Sequence, residues 1–232
     1  MYRIRLFLIS LLISTFLTAL CVSEQKTPEE FFNEGESLLK EGKYDEAMIK
    51  FDKVLENNSS YKEAWIYKGF VFHIKSKYDE ALVCYEKAIE IDPEYTTALS
   101  SKGDALFAQG RFDEAIACYD KAIEIDPEYT TALAGKAIVL LVQGRFDEAI
   151  ACYDKAIEID PDNSSVFLIS KGIALFSQRK YDEAMTCYEK AIEIDPNYAR
   201  AWKEKGNLLF YQGKYEEAQE CFDTVDELGN KE

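Results

Sequence analysis

The stretch KAIEIDP occurs at Lys87–Pro93 and returns at Lys121–Pro127, Lys155–Pro161 and Lys190–Pro196. A catalytic site is assembled from residues that differ in role, so one phrase repeated at fixed intervals encodes a building unit before it encodes a chemistry. Read as the end of a helix, it packs Ala88 and Ile89 inward, leaves Glu90 in solvent, sets Ile91 against the following unit and turns at Asp92-Pro93. Proline enforces the stop, because it disfavours helix at the residue before it and carries no amide hydrogen.

Ahead of each such segment stands an aromatic-acidic tetrapeptide: YDEA at Tyr44 and Tyr78, FDEA at Phe112 and Phe146, YDEA at Tyr181, YEEA at Tyr215. The intervals are 34, 34, 34, 35 and 34. Six units result, 28–61, 62–95, 96–129, 130–164, 165–198 and 199–232, with one extra residue near Ser164. Apolar spacing within a unit is helical, as in Trp65, Gly69 and Phe72, then Ala81, Tyr85, Ala88 and Ile89. Gly42, Gly110, Gly144 and Gly213 mark a break between two helices, where a helix end accepts a left-handed residue; Ser76 and Arg179 fill that slot less comfortably. Small residues recur on the first helix (Gly35, Gly69, Gly103, Ala137, Gly172, Gly206) and on the second (Ala47, Ala81, Ala115, Ala149, Ala184, Ala218). They predict close approach of paired helices, with rings from Phe51, Tyr85, Tyr119, Tyr153, Tyr188 and Phe222 filling the space beside them.

Together with the entry residues Phe31, Trp65, Leu99, Leu133, Leu168 and Trp202 and the terminal prolines, this pattern resembles the tetratricopeptide repeat family. The fold class implied is all-α, a right-handed superhelical solenoid of six antiparallel helix pairs preceded by an N-terminal signal or anchor helix. There are departures: lysine at Lys68, Lys102, Lys136, Lys171 and Lys205, where the family often has leucine, and a first unit ending in Asn57, Asn58, Ser59 without proline. By resemblance, the first helices line a concave groove and their variable residues choose the ligand. The slots left over there carry Ile66, Phe70, His73 and Ile74 in the second unit and Ser100, Asp104 and Phe107 in the third. In the fourth and fifth units they carry Ala134, Ile138 and Leu141, then Ile169, Ile173 and Phe176. Such a floor suits an apolar extended or helical peptide, although solenoid helices bury two faces and part of this set is expected in the core. Family members that clamp a terminal carboxylate use lysine, asparagine and arginine; only the last unit begins that pattern, with Lys203 and Asn207.

A formal net charge of −16, from 43 acidic and 27 basic side chains, repels nucleic acid phosphates and anionic lipid headgroups and favours basic or apolar partners. At the start, Arg3 and Arg5 precede an apolar run from Leu6 to Val22. Residues 1–23 therefore read as a signal peptide or membrane anchor, with the repeats outside the cytoplasm, secreted or tethered. Leu20 ahead of Cys21 argues against lipidation. Asn57, Asn58 and Asn163 each begin an Asn-x-Ser sequence and are glycosylation candidates.

Cys84, Cys118, Cys152, Cys187 and Cys221 recur with the repeat, but stacked helices lie about 8–10 Å apart, beyond the roughly 7 Å reach of a disulfide. They read as free packing thiols, with no metal site. His73, the sole histidine, has no companion ligand in sequence, and the acid pairs opening the second helices, such as Asp79-Glu80, complement the helix dipole. With no phosphate loop, serine elbow or zinc-helix motif, neither an enzyme nor a cofactor is expected. The reading is a non-catalytic scaffold that binds an apolar, basic-flanked peptide. Its alternatives are a self-assembling structural solenoid and a membrane-anchored assembly or chaperone-adaptor protein. Oligomerisation is disfavoured because Gln219 and Asp226 replace the apolar series ending in Met185 and Ile192, giving the last helix a polar outer face.

Overall fold

The computed structural model describes residues 26–229, which form twelve α-helices and no strand. They are α1 (Pro28–Lys40), α2 (Tyr44–Asn57), α3 (Lys62–Ile74), α4 (Tyr78–Ile91), α5 (Thr96–Ala108) and α6 (Phe112–Ile125), followed by α7 (Thr130–Val142), α8 (Phe146–Ile159), α9 (Ser165–Ser177), α10 (Tyr181–Ile194), α11 (Ala199–Tyr211) and α12 (Tyr215–Gly229). Odd-numbered helices are the first and even-numbered the second members of the pairs. The expected signal or anchor, residues 1–23, lies outside the described residues. Among those described, no helix is long and apolar enough to cross a membrane.

Local chemistry sets the helix ends. At the start of α1 the Thr27 side chain accepts from the Glu30 amide, while the Glu30 carboxylate accepts from the Thr27 amide at 2.7 Å, a reciprocal cap ahead of Pro28. Each turn between paired helices closes in the same way whatever its residue. Gly42, Gly110, Gly144 and Gly213 have φ between 73° and 80°, and Ser76 and Arg179 are drawn into the same left-handed region at 57° and 64°. The Arg111 amide donates to the Leu106 carbonyl and the Lys180 amide to the Leu175 carbonyl, both at 2.9 Å, so the bonding around a glycine and around Arg179 is alike.

The repeated aspartate has a role of its own in the turn after the second helix. Asp92, Asp126 and Asp195 accept at 3.0–3.1 Å from the amide two residues on, which bends the chain into the following first helix. Ala88 is fully buried as expected, but Ile91 is 37% exposed, since the turn carries it past the packed face. The extra residue near Ser164 is absorbed by a turn in which the Ser164 hydroxyl donates to the Pro161 carbonyl at 2.6 Å.

The chain divides into two compact units that part between Tyr67 and Lys68. In the first, a Cβ on Gly35 would lie 2.6 Å from the Phe51 ring, so glycine sets how closely α1 and α2 pack. Phe32 adds ring contacts to Phe51, Tyr61 and Tyr67, and the Tyr67 hydroxyl donates to Glu36 at 2.6 Å.

In the second unit, Tyr85, Tyr119, Tyr153 and Tyr188 are the largest fully buried side chains. Tyr119 is held from both sides, because a Cβ on Gly103 or on Gly135 would come within 2.7 Å of its ring. The unexpected lysines form a ladder. Lys102 pairs with Glu86 at 2.8 Å, Lys136 with Asp120 at 2.6 Å, Lys205 with Glu189 at 3.0 Å, and Lys171 with Asp154. Each links a first helix to the preceding second helix, and the lysine side chains are only 23–26% exposed. A second ladder joins successive turns, with the Gln109, Gln143 and Gln178 amides donating to Asp79, Asp113 and Asp147 at 2.7–3.0 Å. These aspartates therefore bridge neighbours besides facing their own helix dipoles.

Candidate functional site

Side chains one per first helix, at the same slot of the repeat, define a variable face of the second unit. Phe70 on α3, Asp104 on α5, Ile138 on α7, Ile173 on α9 and Asn207 on α11 follow at 34, 34, 35 and 34 residues. Phe70 and Ile138 are 48% and 45% exposed, Asp104 and Asn207 are exposed, and Ile173 is half-buried. One turn earlier on the helices the situation reverses. Ile66, in the first unit, is buried, as are Ser100 and Ile169, while Ala134 is half-buried and Lys203 exposed. Ile66, Ser100 and Ile169 thus belong to the packed interior of this structure, and the ligand-accessible part of the predicted floor is narrower than the sequence pattern alone indicates.

Farther along the helices the floor is aromatic except on α7. His73 meets the Tyr78 ring at 5.2 Å and Phe107 meets Phe112 at 5.8 Å, while Leu141 is half-buried among the residues packed on Tyr153. Ile74 is 39% exposed. Its slot continues with Val142 and Tyr211, 58% and 61% exposed, which the sequence pattern reaches at the same interval although neither was among the predicted floor residues. Tyr211 meets Phe176 edge-on and Tyr181 at a tilt, and shares a 3.2 Å hydroxyl contact with Tyr181.

Ile173, Phe176 and Asn207 come together with Tyr188, Glu204 and Leu208 around an apolar pocket of about 180 Å³. The Asn207 amide donates to the Glu204 carboxylate at 3.2 Å. A carboxylate at this mouth is the opposite of what a carboxylate clamp needs, so Lys203 and Asn207 do not assemble one here. The one acid of the row, Asp104, accepts from the Tyr119 hydroxyl at 2.6 Å. Open to the first-helix face but walled by protein on its other sides, Asp104 has its carboxyl pushed above the ordinary value by burial, while the Tyr119 hydrogen bond and nearby His73 pull it back.

Chemistry is sparse elsewhere. The five recurrent cysteines are free, and burial raises the thiols of Cys118, Cys152, Cys187 and Cys221, which keeps them protonated and inert. Among the described residues no group of His, Cys, Asp and Glu is arranged to hold a metal ion. Asn57, Asn58 and Asn163 are exposed, but the Asn163 amide donates to both Asp160 oxygens and Ser164 and Ser165 beside it are buried.

Tetratricopeptide repeat profiles match residues 63–95 and 166–198, residues 100–164 and residues 187–220. Among solved structures, PilF of Pseudomonas aeruginosa superposes with a TM-score of 0.70 at 20% identity, over 88% of this chain and 89% of its own. MamA superposes at 0.61 with 24% identity over 70% and 95% of the two chains. YrrB, described as a tetratricopeptide protein with an unusual peptide-binding site, gives 0.57 with 23% identity over 77% and 91%. At these identities the likeness is one of fold. No curated protein matches the chain.

Proposed function

Since the chain belongs to the tetratricopeptide repeat family, we propose that it is a non-catalytic protein-interaction scaffold whose first helices bind an apolar peptide segment with basic flanks. The observation that carries this reading is the exposure of Phe70 and Ile138 at one slot of the repeat, when the corresponding packing residues a turn earlier are buried or half-buried. Single exposed apolar residues need no explanation, but Phe70 and Ile138, with Ile74 and Val142 one turn on along the same helices, recur at the repeat interval and offer a surface for an apolar partner. The net charge of −16 supplies the preference for basic flanks. We place the repeats outside the cytoplasm on the strength of residues 1–23 alone; fractionation with terminal mass analysis decides it, and a soluble cytoplasmic chain retaining Met1 would end that assignment.

The binding reading is tested by substituting Phe70 and Ile138 together by serine and selecting peptides from a random display library on the full chain and on the variant. Surface positions of this kind should change stability by no more than about 0.5 kcal/mol each, while capture of apolar peptides is lost. Retained capture by a folded variant would show that these residues are not the contact surface.

A further inference from the structure

Among the acids of the second unit, Asp104 is set apart by the fully buried tyrosine that holds it. Glu86, Asp120, Asp154 and Glu189 on the second helices each hold a lysine, and Glu114 and Glu148 each hold an arginine. Among the described residues, Asp104 has no cation within ion-pair distance. Its one hydrogen bond there comes from Tyr119, whose hydroxyl meets Oδ1 at 2.6 Å. Tyr119 is 1% exposed and gripped between Gly103 and Gly135, so its phenol cannot swing away and the carboxylate is held at a fixed angle. One turn earlier the Ser100 hydroxyl is buried without a hydrogen-bond partner, a second polar group beyond what packing requires.

Nor does the fold require this carboxylate. In the next pair the same slot is Ile138, and the Tyr153 hydroxyl stays buried with no hydrogen bond of ordinary geometry, Ser170 being the polar side chain beside it. In the preceding pair the slot is Phe70, and Tyr85 is equally buried. The acid therefore stands as a single oriented negative group between two exposed apolar ones, on a chain whose charge already attracts cations.

We propose that Asp104 sets the specificity of this face by pairing with the ammonium or guanidinium group of one lysine or arginine flanked by apolar residues in the bound peptide. This inference rests on the peptide-binding reading above. Packed helices lie about 8–10 Å apart, and a peptide in the polyproline II form advances about 3.1 Å per residue and returns to the same face every third residue. The apolar residues that meet Phe70 and Ile138 therefore stand about three positions to either side of the basic one.

The test uses the full chain and synthetic fluorescent peptides with leucines three positions before and after a central lysine, compared by anisotropy with the same peptides carrying norleucine or glutamate there. The lysine peptide should bind roughly ten- to a hundredfold more tightly than the norleucine peptide, as a charge-assisted hydrogen bond gives. Asp104→Asn, which keeps an oxygen for the Tyr119 hydroxyl, should erase that difference; Asp104→Lys should turn the preference to glutamate. Equal binding of lysine and norleucine by the unsubstituted chain overturns the Asp104 assignment and leaves the apolar face intact, an outcome that depends on no variant folding. Binding of none of the three overturns both.

Discussion

Two rows of side chains run along the first helices of the 68–232 unit, and they obey opposite rules. Lys102, Lys136, Lys171 and Lys205 are one residue type at one slot, each tied to an acid of the preceding helix. Phe70, Asp104, Ile138, Ile173 and Asn207, two positions further along the same helices, share a slot but no chemistry. A slot filled identically in every pair meets the same neighbour every time, so its partner is inside the protein. Where the residue changes from pair to pair while the backbone does not, the fold places no single demand on the side chain at that slot.

The sharpest way to break that contrast is to treat a buried and an exposed isoleucine of the first helices alike. Ile169 is fully buried, packed with Leu168, Leu175 and Tyr188, whereas Ile138 is 45% exposed. Ile169→Ala removes methylenes from a closed site and should cost about 3 kcal/mol in urea unfolding. Ile138→Ala should stay within about 0.5 kcal/mol. Comparable losses at both would mean that the exposed row is core after all.

The same helices show how far the sequence could be read. The period, the break between helices and the close approach at Gly35 or Gly103 follow from residue types that only one backbone arrangement accommodates, and the structure has them where the pattern put them. Which of Ile169 and Ile173 faces outward does not follow. Four residues apart on a helix they point within about 40° of each other, and apolar periodicity cannot separate the inner edge of a packed face from its outer edge. Ser100 misled for the complementary reason: a polar residue reads as exposed, yet α5 buries it to 2%. The lysines read as a departure because their partners sit 16 or 17 residues upstream, a spacing that means contact only once the helices are paired. Reading Lys203 and Asn207 as the start of a clamp likewise leaves out Glu204, which stands between them and holds the asparagine.

A smaller effect of opposite sign tests the invariant part of the repeat. Arg179 sits at φ 64° in a slot where four other pairs have glycine, with the same closing hydrogen bonds around it. Left-handed backbone costs an L-residue roughly 1–2 kcal/mol, part of which glycine gives back through its freer unfolded chain. Arg179→Gly should therefore stabilise the protein by about 0.5–1 kcal/mol, and Ser76→Gly similarly, measured by the shift of the urea midpoint at constant slope. A loss of stability on both would show that the side chains at these turns make contacts worth more than the strain.

The smallest effect belongs to the ladder. Lys136→Met keeps the buried stem and deletes the ammonium that meets Asp120 at 2.6 Å. Asp120 is half exposed, so it regains water when its partner goes and no uncompensated buried charge is left behind. The expected cost is accordingly that of a surface pair, about 0.2–1 kcal/mol, far below the penalty for breaking a buried one. Salt provides the check: at about 1 M the screening length falls to roughly 3 Å, and the difference between the two proteins should shrink with it. Because successive rungs share no partner, methionine at positions 102, 136, 171 and 205 together should lose close to four times the single cost. A loss much greater than that, or one unmoved by salt, would mean that the ladder sets the stacking of the pairs and is not merely carried by it; the repeated slot would then owe its constancy to register, not to packing along the stem.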